Sequence, residues 1–235
     1  MATVILVRHG RTAANASGVL AGWSEGVPLD EVGHEQAATV ASRLAGVRLA
    51  GVITSPLERT QQTAQAIVDK QPASSRVEFR SDEALGECHY GEWTGKELKK
   101  LAKDPLWKQV QSHPSSVTFP GGEALTAMQQ RAVACVRQWN THFGENAVYA
   151  VVSHGDVIKA ILADALGLHI DLFQRICVDP ASVSIIDYSP LRPFVVRTND
   201  SGSDLTFLTK KSKGRKGAKG PRSSDAAVGG GAGRA

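Results

Sequence analysis

The sequence has few cysteines and no long hydrophobic run. Cysteine occurs three times in 235 residues, at Cys88, Cys135 and Cys177. This odd number at wide spacings argues against a disulfide framework and predicts a reducing, cytoplasmic location. No apolar run reaches the ~18 residues of a membrane span. The run that opens the chain is short and ends at Arg8, so we predict neither membrane insertion nor a signal peptide.

Acidic residues are scarce near the end of the chain. Residues 209–235 contain eight basic side chains and one acidic side chain, whereas residues 1–208 contain 19 basic and 22 acidic ones. The body is therefore mildly acidic, and the high isoelectric point of about 9.0 does not indicate a nucleic-acid-binding domain.

Large apolar residues are almost absent after Leu208. Such a segment cannot bury enough surface to offset its ordering entropy, so we predict a folded domain over residues 1–208 and a basic, disordered tail over 209–235. The tail has two interpretations. It is either a solvating appendage or a non-specific contact for polyanions, such as nucleic acid or an anionic membrane surface.

Short apolar segments alternate with helical patterns along the rest of the chain. Strands are predicted over 3–7, 49–55, 77–80, 147–153, 182–188 and 194–198, and helices over 31–44, 56–70, 122–143 and 156–166. Asp30 is a plausible cap for the first of these helices. The alternation predicts an α/β fold in which helices cover both faces of a mostly parallel central sheet, giving a three-layer α/β/α sandwich.

Three of the predicted strands lead into charged or titratable side chains. The strand VILV runs into Arg8 and His9, AVYAVVS runs into His154, and GVITSPLERT leads to Arg59 about one helical turn beyond its strand. In open α/β sheets, ligands bind beyond the carboxyl ends of the strands. If these strands are parallel neighbours, the four side chains meet at one edge of the sheet.

Two arginines and two histidines repel one another unless an anion holds them together, and the planar arginine fork suits phosphate oxygens. The glycines after the histidines, Gly10 and Gly155, let backbone approach a ligand closely. A neutral imidazole is also a competent nucleophile toward phosphorus. Glu87, in LGECHYGEWTG, is the candidate proton donor because burial raises a carboxyl pKa. These residues predict a phosphate pocket.

The same segments resemble the histidine phosphatase superfamily, which includes the cofactor-dependent phosphoglycerate mutases. RHGRTAAN is similar to its RHG-x-[ST]-x-x-N signature, GWSEGVPLDEVGHEQA to its second motif, and SPLERTQQTA to the segment with its second arginine. ECHYGEWTG resembles the segment with the general acid, FPGGEA a later motif, and VVSHG the segment with the second histidine. The resemblance runs in the family order from residue 4 to about residue 160 and implies a phosphoglycerate-mutase-like fold.

The resemblance implies a role for each matched residue. His9 would be the nucleophile that forms a phosphohistidine, and Glu87 would protonate the leaving oxygen and then activate water. Arg8, Arg59 and His154 would stabilise the phosphoryl group, with no metal and no cofactor. The predicted substrate-binding residues are Asn15, Arg11, Gly22, Trp23, His89 and Gly155.

The sequence also departs from the family pattern. Arg11 stands where Glu or Gln is common, and Cys88 stands where the mutases usually have arginine. Only 66 residues separate Glu87 from His154, whereas the mutases carry a longer basic insertion there. We therefore predict a metal-independent phosphomonoesterase that acts on a small phosphorylated metabolite. The alternatives are a phosphoglycerate-mutase-like phosphotransferase and a non-catalytic phospholigand-binding or scaffold protein.

Overall fold

The computed structural model describes residues 2–73, 76–202 and 226–233. The strands are β1 (Ala2–Arg8), β2 (Gly51–Thr54), β3 (Glu78–Ser81), β4 (Val148–Ser153), β5 (Val183–Tyr188) and β6 (Pro193–Asp200). The helices are α1 (Ala13–Ser17), α2 (Glu31–Leu44), α3 (Glu58–Asp69), α4 (Leu98–Leu101), α5 (Pro105–Ser112), α6 (Leu125–Phe143) and α7 (Gly155–Ala165). Within the described residues, no helix combines the length and the apolar character that crossing a membrane requires.

In the described part of the chain, six strands form one sheet with the order β3-β2-β4-β1-β5-β6. The pairs β3–β2, β2–β4 and β4–β1 are parallel, while β5 runs antiparallel to both β1 and β6. Five strands therefore point the same way, which confirms the predicted mostly parallel sheet.

Helices cover both faces of this sheet, as the three-layer prediction requires. Alternate residues of β1 point to opposite faces: Val7 packs with α2 and α3, while Leu6 packs with α6 and α7. All four residues of β2 are buried. A strand buried on both faces reads as a continuous apolar run rather than an alternating one, which is why the sequence pattern identified these strands.

The helix boundaries follow local hydrogen bonds. The Asp30 side chain accepts from the backbone N–H of Gly33 at 2.8 Å, so α2 begins at its predicted position. Helix α3 begins two residues later than predicted, at Glu58. The hydroxyl of Thr60 donates to the carbonyl of Ser55 at 2.9 Å, and this holds Pro56 in a turn before the helix.

Part of the predicted tail lies against the domain. Residues 226–233 are described, and Val228 among them is buried within the core. This differs from the expectation of disorder for this part of the tail. Residues 209–225 and 234–235 lie outside the described residues, and the domain division at residue 208 stays a prediction.

The start of α2 packs directly against the loop that follows β1. A Cβ atom on Gly33 would overlap the carbonyl of Arg11, and a Cβ on Gly10 would overlap the carbonyl of Gly33. Backbone hydrogen bonds fix the loop on both sides, since His9 N–H donates to Ser153 at 3.0 Å and Asp30 N–H donates to Arg11 at 3.0 Å. The two glycines let the loop and the helix approach within backbone contact.

We expect Gly33→Ala to lower the free energy of unfolding by about 1–3 kcal/mol, because the added methyl group must push backbone apart. Gly46→Ala is the matched control, since a Cβ there meets nothing within 4 Å, and its effect should stay within about 0.5 kcal/mol. Urea unfolding of both variants measures this. Equal effects would contradict the packing role of Gly33.

Candidate active site

The strand register brings the predicted catalytic residues together. Arg8 lies opposite Ser153 in the β1–β4 pair, and Thr54 lies opposite Val152 in the β2–β4 pair. The next residues along these strands are therefore neighbours at one edge of the sheet. The rings of His9 and His154 are 5.3 Å apart between centroids, and both are buried.

A backbone contact fixes the tautomer of His9. Its Nδ1 lies 2.7 Å from the carbonyl oxygen of Gly10. Because a carbonyl only accepts, Nδ1 must carry the hydrogen, and the lone pair is left on Nε2. Burial, with the positive charges of Arg59 and Arg8 added, lowers the pKa of His9 well below its usual value of 6.5. The imidazole is therefore neutral and nucleophilic at neutral pH.

His154 is held between a hydroxyl and an arginine. Its Nε2 lies 2.7 Å from the Ser55 hydroxyl, and its Nδ1 accepts from Arg59 at 3.3 Å. An arginine can only donate, so the hydrogen of this neutral ring lies on Nε2. Burial, followed by the charge of Arg59, lowers the pKa of His154 well below 6.5. The ring is thus oriented by contacts on both nitrogens.

Arg59 enters the site from the first turn of α3. One terminal nitrogen donates to the Gly22 carbonyl at 2.8 Å as well as to His154. The side chain is buried, and burial lowers its pKa while the charge of Glu87 opposes that effect. Its position fits the predicted role of a fixed positive charge beside the two imidazoles.

Glu87 is a buried carboxyl that is poised to carry a proton. Burial and then the charge of Asp156 raise its pKa to about 7, although Arg59 and Arg8 oppose the rise. Its Oε1 accepts from the backbone N–H of Cys88 at 2.9 Å. Arg131 donates to the Glu87 carbonyl at 3.0 Å, which holds the backbone in place. A pKa near 7 suits a group that must give up and take back a proton near neutral pH.

Arg8 is buried, and burial lowers its pKa to about 10. Its four terminal N–H groups all donate to backbone carbonyls. The acceptors are Val178 at 2.9 Å, Gly230 at 3.0 Å, Gly229 at 3.3 Å and Gly231 at 2.5 Å. The Nε of Arg8 has no partner among the described residues.

The predicted substrate-binding residues divide into two groups. Asn15 and Gly22 line the cavity beside His9. Asn15 also accepts from the N–H and hydroxyl of Thr12, at 3.1 and 3.0 Å, and this capping box orders the short helix α1. Gly155 begins α7 next to His154, so it lies at the site without contributing a side chain.

The remaining three lie outside the cavity wall. The Arg11 guanidinium pairs with Asp30 at 2.8 Å, so it points to the N-terminus of α2. The ring of Trp23 stacks on His89 with centroids 4.3 Å apart, and its indole donates to the carbonyl of Glu87. The stacked pair lies outside the cavity, and the hydrogen bond from Trp23 holds the backbone of Glu87 in place.

Asp156 is a site residue that the sequence did not single out. It accepts from the Tyr90 hydroxyl at 2.8 Å, from Lys159 at 3.2 Å and from the N–H of Gly229 at 2.9 Å. Its charge contributes to the raised pKa of Glu87. The signal that could have revealed Asp156 is its place two residues after His154. Ser55, whose hydroxyl contacts His154, could likewise have been found as the first residue after β2.

The family model of the histidine phosphatase superfamily (branch 1) matches residues 4–201. The chain belongs to this superfamily. Within the described residues of this histidine phosphatase, no group of three or more His, Cys, Asp or Glu side chains is arranged to hold a metal ion.

Named relatives are similar to this histidine phosphatase over most of its length. The "Probable phosphoglycerate mutase GpmB" of Yersinia pestis (strain Pestoides F) is 31% identical over 190 residues, which are 80% of this chain and 86% of that protein. The 2-carboxy-D-arabinitol-1-phosphatase of Triticum aestivum is 30% identical over 190 residues. The match covers 80% of this chain but only 37% of the wheat protein, so the chain spans little more than a third of it.

A solved structure shares the fold. Bacillus stearothermophilus YhfR superposes with a TM-score of 0.77 at 28% identity, covering 85% of this chain and 98% of its own. This likeness and the family match confirm the predicted phosphoglycerate-mutase-like architecture and make the chain a phosphatase-type enzyme.

We expect stability to depend on pH through Glu87. Its folded pKa of about 7 lies above the usual 4.5, so the folded state retains a proton that the unfolded chain has lost. This contribution is present below pH 4.5 and is lost as the pH rises through 7. The rise from 4.5 to about 7 is 2.5 pKa units. At about 1.4 kcal/mol per pKa unit, the stability of Glu87→Gln relative to the unmodified protein should increase by roughly 3 kcal/mol between pH 4 and pH 8.

Urea unfolding at both pH values measures the difference, with the exposed Glu83→Gln as the matched control. A difference between Glu87→Gln and the unmodified protein that does not change with pH would contradict the raised pKa.

Proposed function

We propose that this protein is a metal-independent phosphomonoesterase that acts through a phosphohistidine on a small phosphorylated metabolite. The observation that carries the proposal is the neutral His9, which has its lone pair on Nε2. His9 lines the same cavity as Arg59 and Glu87. The candidate nucleophile, the fixed positive charge and the candidate proton donor therefore lie around one cavity.

The first step transfers the phosphoryl group to the enzyme. Nε2 of His9 attacks phosphorus, a P–N bond forms, and the P–O bond to the alcohol breaks. Protonated Glu87 gives its proton to the departing oxygen, so the product leaves as a neutral alcohol. Arg59 and Arg8 neutralise charge on the phosphoryl oxygens, which is the role that a metal ion plays in other phosphatases.

The second step hydrolyses the phosphohistidine. The Glu87 carboxylate takes a proton from a water molecule as the water oxygen attacks phosphorus. The P–N bond breaks, inorganic phosphate forms, and His9 returns to its neutral state. One residue with a pKa near the working pH can serve as acid in the first step and as base in the second.

A phosphoglycerate-mutase-like transfer is the second candidate, since one named relative is "Probable phosphoglycerate mutase GpmB". A mutase must grip both ends of its substrate. Lys96, Lys99, Lys103 and Lys108 are exposed, and Lys100 pairs with Glu97 at 2.8 Å. Exposed lysines of this kind are usually solvated.

Arg11 is engaged with Asp30, so it does not supply the second grip either. The lack of a second positively charged grip among these residues therefore favours water as the acceptor of the phosphoryl group. The non-catalytic alternative does not account for a buried carboxyl with a raised pKa beside a neutral histidine. Cytoplasmic location and contact between the tail and polyanions stay predictions.

We expect a phosphate ester to phosphorylate His9 and give an acid-labile adduct. Intact-mass analysis after rapid quench measures this, and His9→Ala should lose the adduct and roughly 10³-fold or more of kcat because the nucleophile is gone. The exposed His34→Ala is the matched control and should retain both. An adduct on the His9→Ala protein would contradict the assignment.

We also expect phosphate release from the best ester in a panel of phosphorylated metabolites to continue undiminished in EDTA. In the same buffer, isomerisation of 3-phosphoglycerate with catalytic 2,3-bisphosphoglycerate should be slower than that release. Loss of activity that a divalent ion restores would contradict the metal-free mechanism. Isomerisation faster than any phosphate release would establish the mutase alternative.

A further inference from the structure

The C-terminal residues 226–231, which we call the plug segment, occupy the phosphate pocket. Val228, Gly229 and Gly231 line the same cavity as His9 and Glu87. With the plug segment in place, the cavity has a volume of about 20 Å³. A single water molecule needs roughly 10–15 Å³ on this scale, so a phosphoryl group with its oxygens does not fit.

The plug segment is held by specific contacts at its start and in its middle. The Gln111 side chain accepts from the N–H of Ala226 at 2.8 Å and donates to its carbonyl at 2.9 Å. Val228 is buried in the core, and the N–H of Gly229 donates to Asp156 at 2.9 Å. These contacts combine an anchor outside the pocket, an apolar residue and a buried charge.

The contacts with Arg8 compete directly with a substrate. Carbonyls of Gly229, Gly230 and Gly231 take three of its four terminal N–H groups. Phosphoryl oxygens need those same donors, and they accept more strongly than carbonyls because they are charged. A phosphorylated ligand and the plug segment therefore exclude each other.

The glycines of the plug segment are matched to this position. Gly229, Gly230 and Gly231 have φ values of 70°, 80° and 57°, a region that other residues rarely adopt. A Cβ on Gly230 would also lie 3.0 Å from the guanidinium carbon of Arg8. A run of three glycines satisfies both the backbone conformation and the close approach to Arg8.

We infer that the phosphate pocket is also a peptide-binding site whose ligand is the plug segment of the same chain, so that the protein inhibits itself until the segment leaves. This inference rests on the proposed function, because it takes the pocket to be where phosphate binds. The apparent Kd for phosphate is then the intrinsic Kd divided by the fraction of molecules in which the pocket is open. Any change that weakens docking should tighten phosphate binding.

The test uses the full-length chain with the substitution Gly230→Ala, and titration calorimetry with inorganic phosphate as the readout. If about one molecule in ten is open, Gly230→Ala should lower the apparent Kd about tenfold. Gln111→Ala should act in the same direction through the anchor. Gln109→Ala is the matched control on the exposed face of α5 and should leave the Kd unchanged.

A second variant ends at Asp225 and lacks the plug segment, with circular dichroism to verify its fold. It should bind phosphate as tightly as Gly230→Ala or more tightly, and a synthetic peptide of residues 226–235 should weaken that binding competitively. If all three variants fold and hydrolyse an ester but bind phosphate no more tightly than the unmodified protein, the inference is overturned and the proposed function stands. If no form of the protein binds phosphate or hydrolyses any ester, the proposed function fails as well.

Discussion

Burial of Arg8 and Arg59 at the carboxyl edge of the sheet sets the conditions for every other group in the site. Two guanidinium groups removed from water need partners for their N–H groups and opposite charge nearby. Carbonyls of Val178 and Gly22 supply part of the first need, and Glu87 supplies part of the second. The two imidazoles stay neutral, first because burial disfavours their charged form and second because the arginines repel a further positive charge.

This arrangement exists because β1, β4 and β2 are adjacent and parallel. The sequence allowed that part to be predicted, because each strand is a continuous apolar run followed at once by a polar residue. The sheet, its helical layers and the positions of His9, His154, Arg59 and Glu87 followed from those runs and from the family motifs. The roles of these residues in catalysis stay predictions until they are measured.

Other parts of the site left no such pattern. Asp156 pairs with Lys159 one helical turn along α7, but its other partners, the Tyr90 hydroxyl and the Gly229 N–H, come from distant parts of the chain. Arg11 was predicted beside the substrate, but the Asp30 carboxylate at the start of α2 is its partner. The glycine-rich end of the tail was predicted to be disordered on the basis of composition. Composition estimates apolar burial, whereas this segment is held largely by backbone hydrogen bonds in a conformation that favours glycine.

In the proposed mechanism, the hydrogen bond between Nδ1 of His9 and the Gly10 carbonyl also determines which isomer of phosphohistidine can form. Nδ1 is occupied, so a phosphoryl group can arrive only at Nε2. The same hydrogen stays on Nδ1 throughout, and the ring therefore enters and leaves the reaction as one tautomer. In the proposed mechanism the imidazole therefore needs no proton rearrangement between the two half-reactions, and Glu87 carries every proton that they transfer.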